Sequence, residues 1–283
     1  MVRLGSSRLE STPRGLEPYP NGLHPGRHLN LIRLAPAALL LSVAAPLAAQ
    51  DSFEIQVYEY ITVPKGKWNL ETHFNYTARG TKEFEGTVAP TQHQSHLTFE
   101  LTRGITDYFE MAGYLVLARL PGESPDFAGW RLRPRVRFPE RWKLPVLFSF
   151  SAEVAFPKDK YEEADATLEL RPILERKFGA VAIDLNPVLG RSIMGPGSHD
   201  GWDFEPGARV GVGVSKAVEL SLEYYGAFGR VGDFLPRDQQ IHQFFGGGDL
   251  SLSENVVLNL GLGLGATSAG NRTVLKARLG WLF

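Results

Sequence analysis

From Trp68 to Phe283 the chain repeats one pattern: runs of about ten or more residues in which apolar side chains alternate with polar or small ones, separated by turn-forming residues. The run 129–139, GWRLRPRVRFP, is the sharpest case, with Arg131, Arg133, Arg135 and Arg137 on one parity and Trp130, Leu132, Pro134, Val136 and Phe138 on the other. Successive side chains on a strand point to opposite faces, so this run puts four guanidinium groups on one side of a sheet and an apolar row on the other. Trp68, Leu70, Thr72, Phe74 and Tyr76 oppose Glu71, His73 and Asn75 in the same way, and Leu258, Leu260, Leu262 and Leu264 oppose Asn259, Gly261, Gly263 and Gly265. Between 239 and 251 the parity is hard to follow around Gly246, Gly247 and Gly248, which predicts a bulge.

Alternation alone also fits a soluble sandwich, whose apolar face packs inward. Three features favour the opposite arrangement, with the apolar half outward. The runs exceed the usual soluble strand of about five to six residues. Small residues such as Ser149, Ser151, Gly211 and Gly213 fall on the polar parity, where a crowded interior needs them. Aromatic residues (Trp68, Tyr76, Phe138, Phe148, Phe156, Trp202, Phe204, Phe228, Trp281, Phe283) mark the ends of the apolar rows, as two membrane interfaces require. The predicted fold is all-β: a transmembrane antiparallel up-and-down β-barrel of about twelve strands. Long and tight connections alternate, which places the long loops outside and gives a periplasmic C-terminus. Pro134, Pro172, Pro187 and Pro206 fall inside strands and predict kinks. The last run, VLKARLGWLF, resembles the closing strand of bacterial outer-membrane β-barrels, which implies that Trp281 and Phe283 form the signal read by the barrel assembly machinery. The expected surroundings are the lipids of the bacterial outer membrane.

The sequence before the barrel divides into three parts. Residues 1–26 lack periodicity and read as a disordered leader or a mis-assigned translation start. Residues 27–49 combine a basic flank, a short apolar run and small residues at 48–49, the pattern of an export signal peptide. Residues 50–67 form an N-terminal segment expected on the periplasmic side or folded into the lumen as a partial plug, and 68–283 form the barrel. Removing residues 1–50 takes away five arginines and two acids, so 30 basic and 31 acidic residues become 25 and 29 and the net charge becomes −4. That balance does not suggest a nucleic-acid partner. With no cysteine the chain needs no disulfide framework.

Inward parity assigns the lumen to Arg131, Arg133, Arg135, Arg137, Glu153, Asp165, Glu169, Arg171, Glu175, Glu205, Arg209, Glu223, Lys276 and Arg278. Rows of arginine select anions along a pore. The competing reading is structural: Glu153, Asp165, Glu169 and Glu175 on neighbouring strands could pair with the arginines and hold the barrel shut. His93 and His96 have a His-x-x-His spacing, but His93 falls in a loop without supporting carboxylates, so no metal site is assigned. His73 and His96 with Glu71 and Glu100 could form an acid–base cluster, although a hydrogen-bonded network is the commoner explanation. No catalytic residue and no cofactor is assigned, and the glycines at 261, 263 and 265 lack the helix that a phosphate loop needs.

The stretches WNLETHFNY (68–76), LTFELTRGITDY (97–108), the arginine ladder, GWDFEPG (201–207) and the closing strand together resemble the outer-membrane transporters grouped with the MetA-pathway phenol-degradation family. The resemblance implies a passive channel or transporter for small solutes, including aromatic or hydrophobic compounds, and carries over no binding residue. The alternatives are a closed structural barrel that transports nothing and, third, a barrel enzyme.

Overall fold

The computed structural model describes residues 51–283; the leader at 1–26 and the signal peptide at 27–49 lie outside the described residues. The described residues form fourteen strands: β1 Trp68–Arg79, β2 Ser95–Thr106, β3 Phe109–Arg119, β4 Asp126–Arg137, β5 Leu147–Pro157, β6 Ala166–Phe178, β7 Val181–Met194, β8 Asp203–Gly213, β9 Val218–Ala227, β10 Gly229–Arg230, β11 Asp233–Phe234, β12 Ile241–Ser253, β13 Val256–Gly265 and β14 Thr273–Leu282. Strands β10 and β11 are two-residue pieces that form a small hairpin within one loop. The other twelve pair antiparallel, each with its neighbour in sequence, and β14 closes on β1 from Asn69 opposite Leu282 to Arg79 opposite Thr273. Closure satisfies every strand edge within the sheet, the condition for crossing a bilayer with strands.

Each strand's two faces meet different surroundings. On β1 His73, Asn75 and Thr77 are buried while Phe74 is exposed; on β3 Glu110, Ala112 and Tyr114 are buried while Met111 and Leu115 are exposed. The exterior is a continuous apolar band, with Leu222 at 71% exposure and Leu132, Leu185, Leu260 and Leu275 each above 40%. A soluble surface of this kind would aggregate; a lipid-facing one is stable. Aromatic pairs edge the band at both ends: Trp281 with Phe283 (ring centroids 4.6 Å apart) and Phe138 with Phe148 (4.9 Å) toward the tight turns, Trp130 with Phe156 (4.3 Å) and Phe204 with Phe228 (5.7 Å) toward the long loops.

One local expectation changes. No bulge occurs at Gly246, Gly247 and Gly248: β12 stays in register with both neighbours from Gln243 to Leu250, and its irregularity lies at Ser251 and Ser253. The glycines obscure the parity because they replace lipid-facing side chains at 246 and 248 and an inward one at 247. A bulge does occur on β4, where Val116 opposes Gly129 and Leu117 opposes Phe127, leaving Ala128 as the extra residue. Gly129 has φ +151°, and a Cβ there would lie 2.7 Å from the Phe156 carbonyl oxygen, so the residue at the bulge must be glycine. Three of the four in-strand prolines, Pro172, Pro187 and Pro206, lie on the adjacent strands β6, β7 and β8. Pro187 opposes Pro206, and the β6–β7 pairs Leu170–Leu189 and Leu174–Leu185 bracket Pro172 and Pro187 around a gap in the ladder. A second gap, between Leu132 and Arg135 on the β4–β5 ladder, falls at Pro134. Proline brings no N–H, so the ladder opens where it sits.

Candidate functional site

Residues 51–63 run through the interior of the barrel without regular secondary structure. A buried backbone outside a sheet leaves its N–H and C=O groups without ladder partners, and the inward side chains of the wall supply them. Near the long loops Asn75 Nδ2 donates to the Ser52 carbonyl (3.0 Å), and the Phe53 ring packs edge-on against His96 and Tyr161. In the middle Lys276 Nζ donates to the Ile55 carbonyl (3.3 Å) and Arg171 Nη1 to that of Gln56 (3.3 Å), while Asn186 both accepts from the Tyr58 N–H (2.7 Å) and donates to the Tyr58 carbonyl (3.0 Å). Toward the tight turns the Tyr60 N–H donates to Glu175 (2.9 Å) and the Val63 N–H to Glu110 (2.6 Å), and Arg135 donates to the carbonyls of Glu59 and Ile61. Residues 64–67 then turn into β1, with the Gly66 N–H donating to the Gly104 carbonyl (2.9 Å).

Tyr58 is the centre of this arrangement. The guanidinium carbons of Arg133, Arg171 and Arg135 stand 4.5, 4.5 and 5.2 Å from its ring centroid, a desolvated cation–π cluster. Its hydroxyl donates to the Glu54 carboxylate and lies 3.1 Å from the Tyr114 hydroxyl.

Arg131, Arg133, Arg135 and Arg137 lie on the face of β4 opposite the exposed Trp130, Leu132 and Val136, and of the four carboxylates the sequence suggested only Glu153 pairs with them. Arg131 pairs with Glu153 (3.2 Å) and with Asp51 of the segment. Arg133 pairs with Glu100 (2.5 Å) and Glu110 (3.5 Å), Arg135 with Glu110 (3.6 Å), and Arg137 donates to the Asp107 carbonyl (2.8 Å). Glu169 pairs with Arg171 on its own strand (2.7 Å), Glu175 with Lys177 (2.9 Å), Glu223 with Lys276 (2.5 Å), and Arg278 with Glu71 (3.1 Å). Arg209 gathers Asp184 (3.1 Å), Asp249 (3.3 Å) and Glu219. Glu205 is half-buried on β8. Asp165 is a correction: it precedes β6 and is exposed in the connecting loop, because the β6–β7 register shifts between Ala166 and Thr167 and ends the strand there. Sequence reasoning considered Glu100 only in the acid–base cluster and passed over Glu110, Asn186 and Asp184 as site residues. All four share the inward parity, which was the available signal; Asp249 was hidden by the glycines before it.

Of the four residues in the acid–base grouping, His73 stands 3.7 Å from Glu71 and 3.6 Å from Glu100, whereas His96 faces Asn75 across β1–β2 and is not directly opposite His73. His93 is exposed at φ +60° and lies 2.9 Å from the Tyr76 hydroxyl, whereas His96 is buried against Gln94 (2.5 Å), so they do not converge on one point.

Between the segment and the wall remains a cavity of about 740 Å³, lined by Tyr58, Glu110, Arg133, Arg135, Glu219 and Asp249 among others, which reaches the tight-turn end at Asp107, Lys216 and Glu254. At the other end an apolar wall of Ala112, Tyr114, Val116, Ala118 and Ala128 packs against Phe53 and Tyr161.

A closed twelve-strand antiparallel sheet with an apolar exterior, aromatic girdles and a charged interior is a transmembrane β-barrel of the bacterial outer-membrane type. Its fold is similar to that of the COG4313 outer membrane channel from Pseudomonas putida F1, with 13% identity over 81% of this chain and 100% of that one and a TM-score of 0.54. The KdgM porin (8% identity, 76% of this chain and 99% of that one, TM-score 0.49) and the Acinetobacter baumannii outer membrane protein Omp33 (9%, 77% and 98%, 0.45) are more distant in shape. No protein-family model matches the chain, and no curated protein matches its sequence.

Proposed function

We propose that the protein is a passive channel of the outer membrane for small solutes, closed in this structure by residues 51–63. The observation that carries the reading is the 740 Å³ charged cavity at the tight-turn end: a barrel built solely as a scaffold has no use for a water-accessible vestibule beside its plug. In this reading the segment, held to the wall by individual hydrogen bonds and ion pairs rather than by a strand ladder, withdraws to open the lumen. In this reading the tight turns and the C-terminus face the periplasm, and the vestibule opens there. The resemblance to the MetA-pathway phenol-degradation family supports aromatic or hydrophobic solutes, and so does the apolar wall around Phe53 and Tyr161.

A closed structural barrel is the second reading, favoured by the many hydrogen bonds that tie the segment to the wall. Conductance in planar bilayers separates the two. For a channel, deletion of 51–63 produces steady conductance above that of the chain 50–283, and Arg133→Ala with Arg135→Ala lowers its anion preference. Silence from a folded, heat-modifiable deletion variant would leave the structural barrel standing.

A further inference from the structure

One group of ligand-type side chains inside the barrel is left incomplete by the ion-pair network. Glu54 of the lumenal segment, His73 of β1 and Glu100 of β2 each bring a potential ligand atom to within 4.8 Å of the others. All three are deeply buried, at 6%, 1% and 2% exposure. His73 Nε2 lies 3.6 Å from Glu100 Oε2 and 3.7 Å from Glu71 Oε2, beyond hydrogen-bonding distance. Both His73 Nε2 and Glu100 Oε2 are buried with no hydrogen-bond partner. Native interiors rarely leave such atoms open, since each costs about 1–3 kcal/mol.

The surrounding charges point to what fills the gap. Arg133 and Thr102 occupy Glu100 Oε1 at 2.5 and 2.7 Å, leaving Oε2 to face His73. Arg278 pairs with Glu71 and Arg135 with Glu110, whereas Glu54 has no ion pair among the described residues, only the Tyr58 hydroxyl. One carboxylate more than the arginines neutralise is thus buried beside an imidazole nitrogen. Ligands about 2.0–2.2 Å from a tetrahedral zinc stand roughly 3.3 Å apart, close to the separation of His73 Nε2 and Glu100 Oε2. One imidazole with two carboxylates suits a zinc-type ion, while calcium and magnesium favour larger all-oxygen shells. Glu71 and Glu100 border the cavity that reaches the tight-turn end, which gives an entry path.

We propose that Glu54, His73 and Glu100 bind a zinc-type divalent cation that clasps the lumenal segment to β1 and β2. Binding in the docked state and not in the withdrawn one holds the segment in place by mass action. The site stands whether or not the barrel conducts.

The test uses the folded full chain in detergent, stripped with a chelator, incubated with zinc and desalted, with metal measured by elemental analysis and folding checked by heat-modifiable mobility. The wild type retains about one zinc per chain, and Glu54→Gln and His73→Ala lose it; zinc slows proteolysis within 51–63 in the wild type alone. Glu54→Gln leaves the barrel wall intact, so it decides the matter even where His73→Ala fails to fold. A wild type that retains no zinc, or a folded Glu54→Gln variant that retains as much as the wild type, overturns the site.

Discussion

At the scale of single residues, the interior is governed by the fit between large and absent side chains. Phe245, 1% exposed, projects inward from β12 onto Gly263 of β13, and a Cβ at Gly263 would collide with its ring. Gly263→Val is therefore expected to lower the unfolding midpoint of the barrel markedly. Gly113 faces lipid, where an added Cβ would meet Leu132 at an ordinary 3.9 Å, so Gly113→Ala is expected to be neutral or to stabilise by up to about 1 kcal/mol. Thermal unfolding of the two variants side by side checks the contrast; equal effects would contradict it. Asn186 satisfies both backbone groups of Tyr58. Asn186→Ala should cost segment docking about 1–3 kcal/mol, read as faster hydrogen exchange across 51–63 with the strands unchanged.

At the scale of strands, the period-two pattern divides consequences by parity. Leu222 and Ser221 are neighbours on β9, one at 71% exposure toward lipid and the other buried in the lumen. Leu222→Arg is expected to destabilise the barrel by about 2–4 kcal/mol, as arginine on a lipid-facing midplane position does. Reversible denaturation in lipid vesicles measures it, and a cost below that of an equivalent change in an exposed loop would put β9 outside the bilayer. The strand pattern was legible because lipid outside and charge inside impose opposite demands on successive residues. It failed where the side chains that carry parity are missing, at Gly246, Gly247 and Gly248, and at Asp165, which lies just before β6 begins beside a register shift. The proline positions could be read, but their grouping across β6, β7 and β8 could not, because it depends on register between strands.

At the scale of the whole molecule, the lumenal segment joins the barrel through the turn at 64–67. The chain has no cysteine, and a Cβ added at Gly207 would lie 3.4 Å from Val57 Cγ2, so Val57→Cys with Gly207→Cys should form a disulfide across the lumen. Oxidised, the variant should show a gel-mobility shift and a conductance no higher than wild type; reduction should reverse the shift. Failure to cross-link in the folded protein would argue against docking at this position.

What the sequence determined by itself was the wall: strand number, the lipid-facing rows, the girdles and the inward ladder all follow from local alternation and turn residues, which each strand expresses independently of the others. Only the tertiary structure decided what the ladder does. Arg135 meets backbone carbonyls rather than open water, Glu110 and Asn186 receive or replace backbone groups, and Glu54 comes to His73 and Glu100. Those contacts join residues 51–63 to positions up to 221 residues away. No periodicity encodes such pairings; they arise because closing the sheet brings all inward faces around one narrow space, where a segment without a ladder of its own must borrow its hydrogen bonds from the wall.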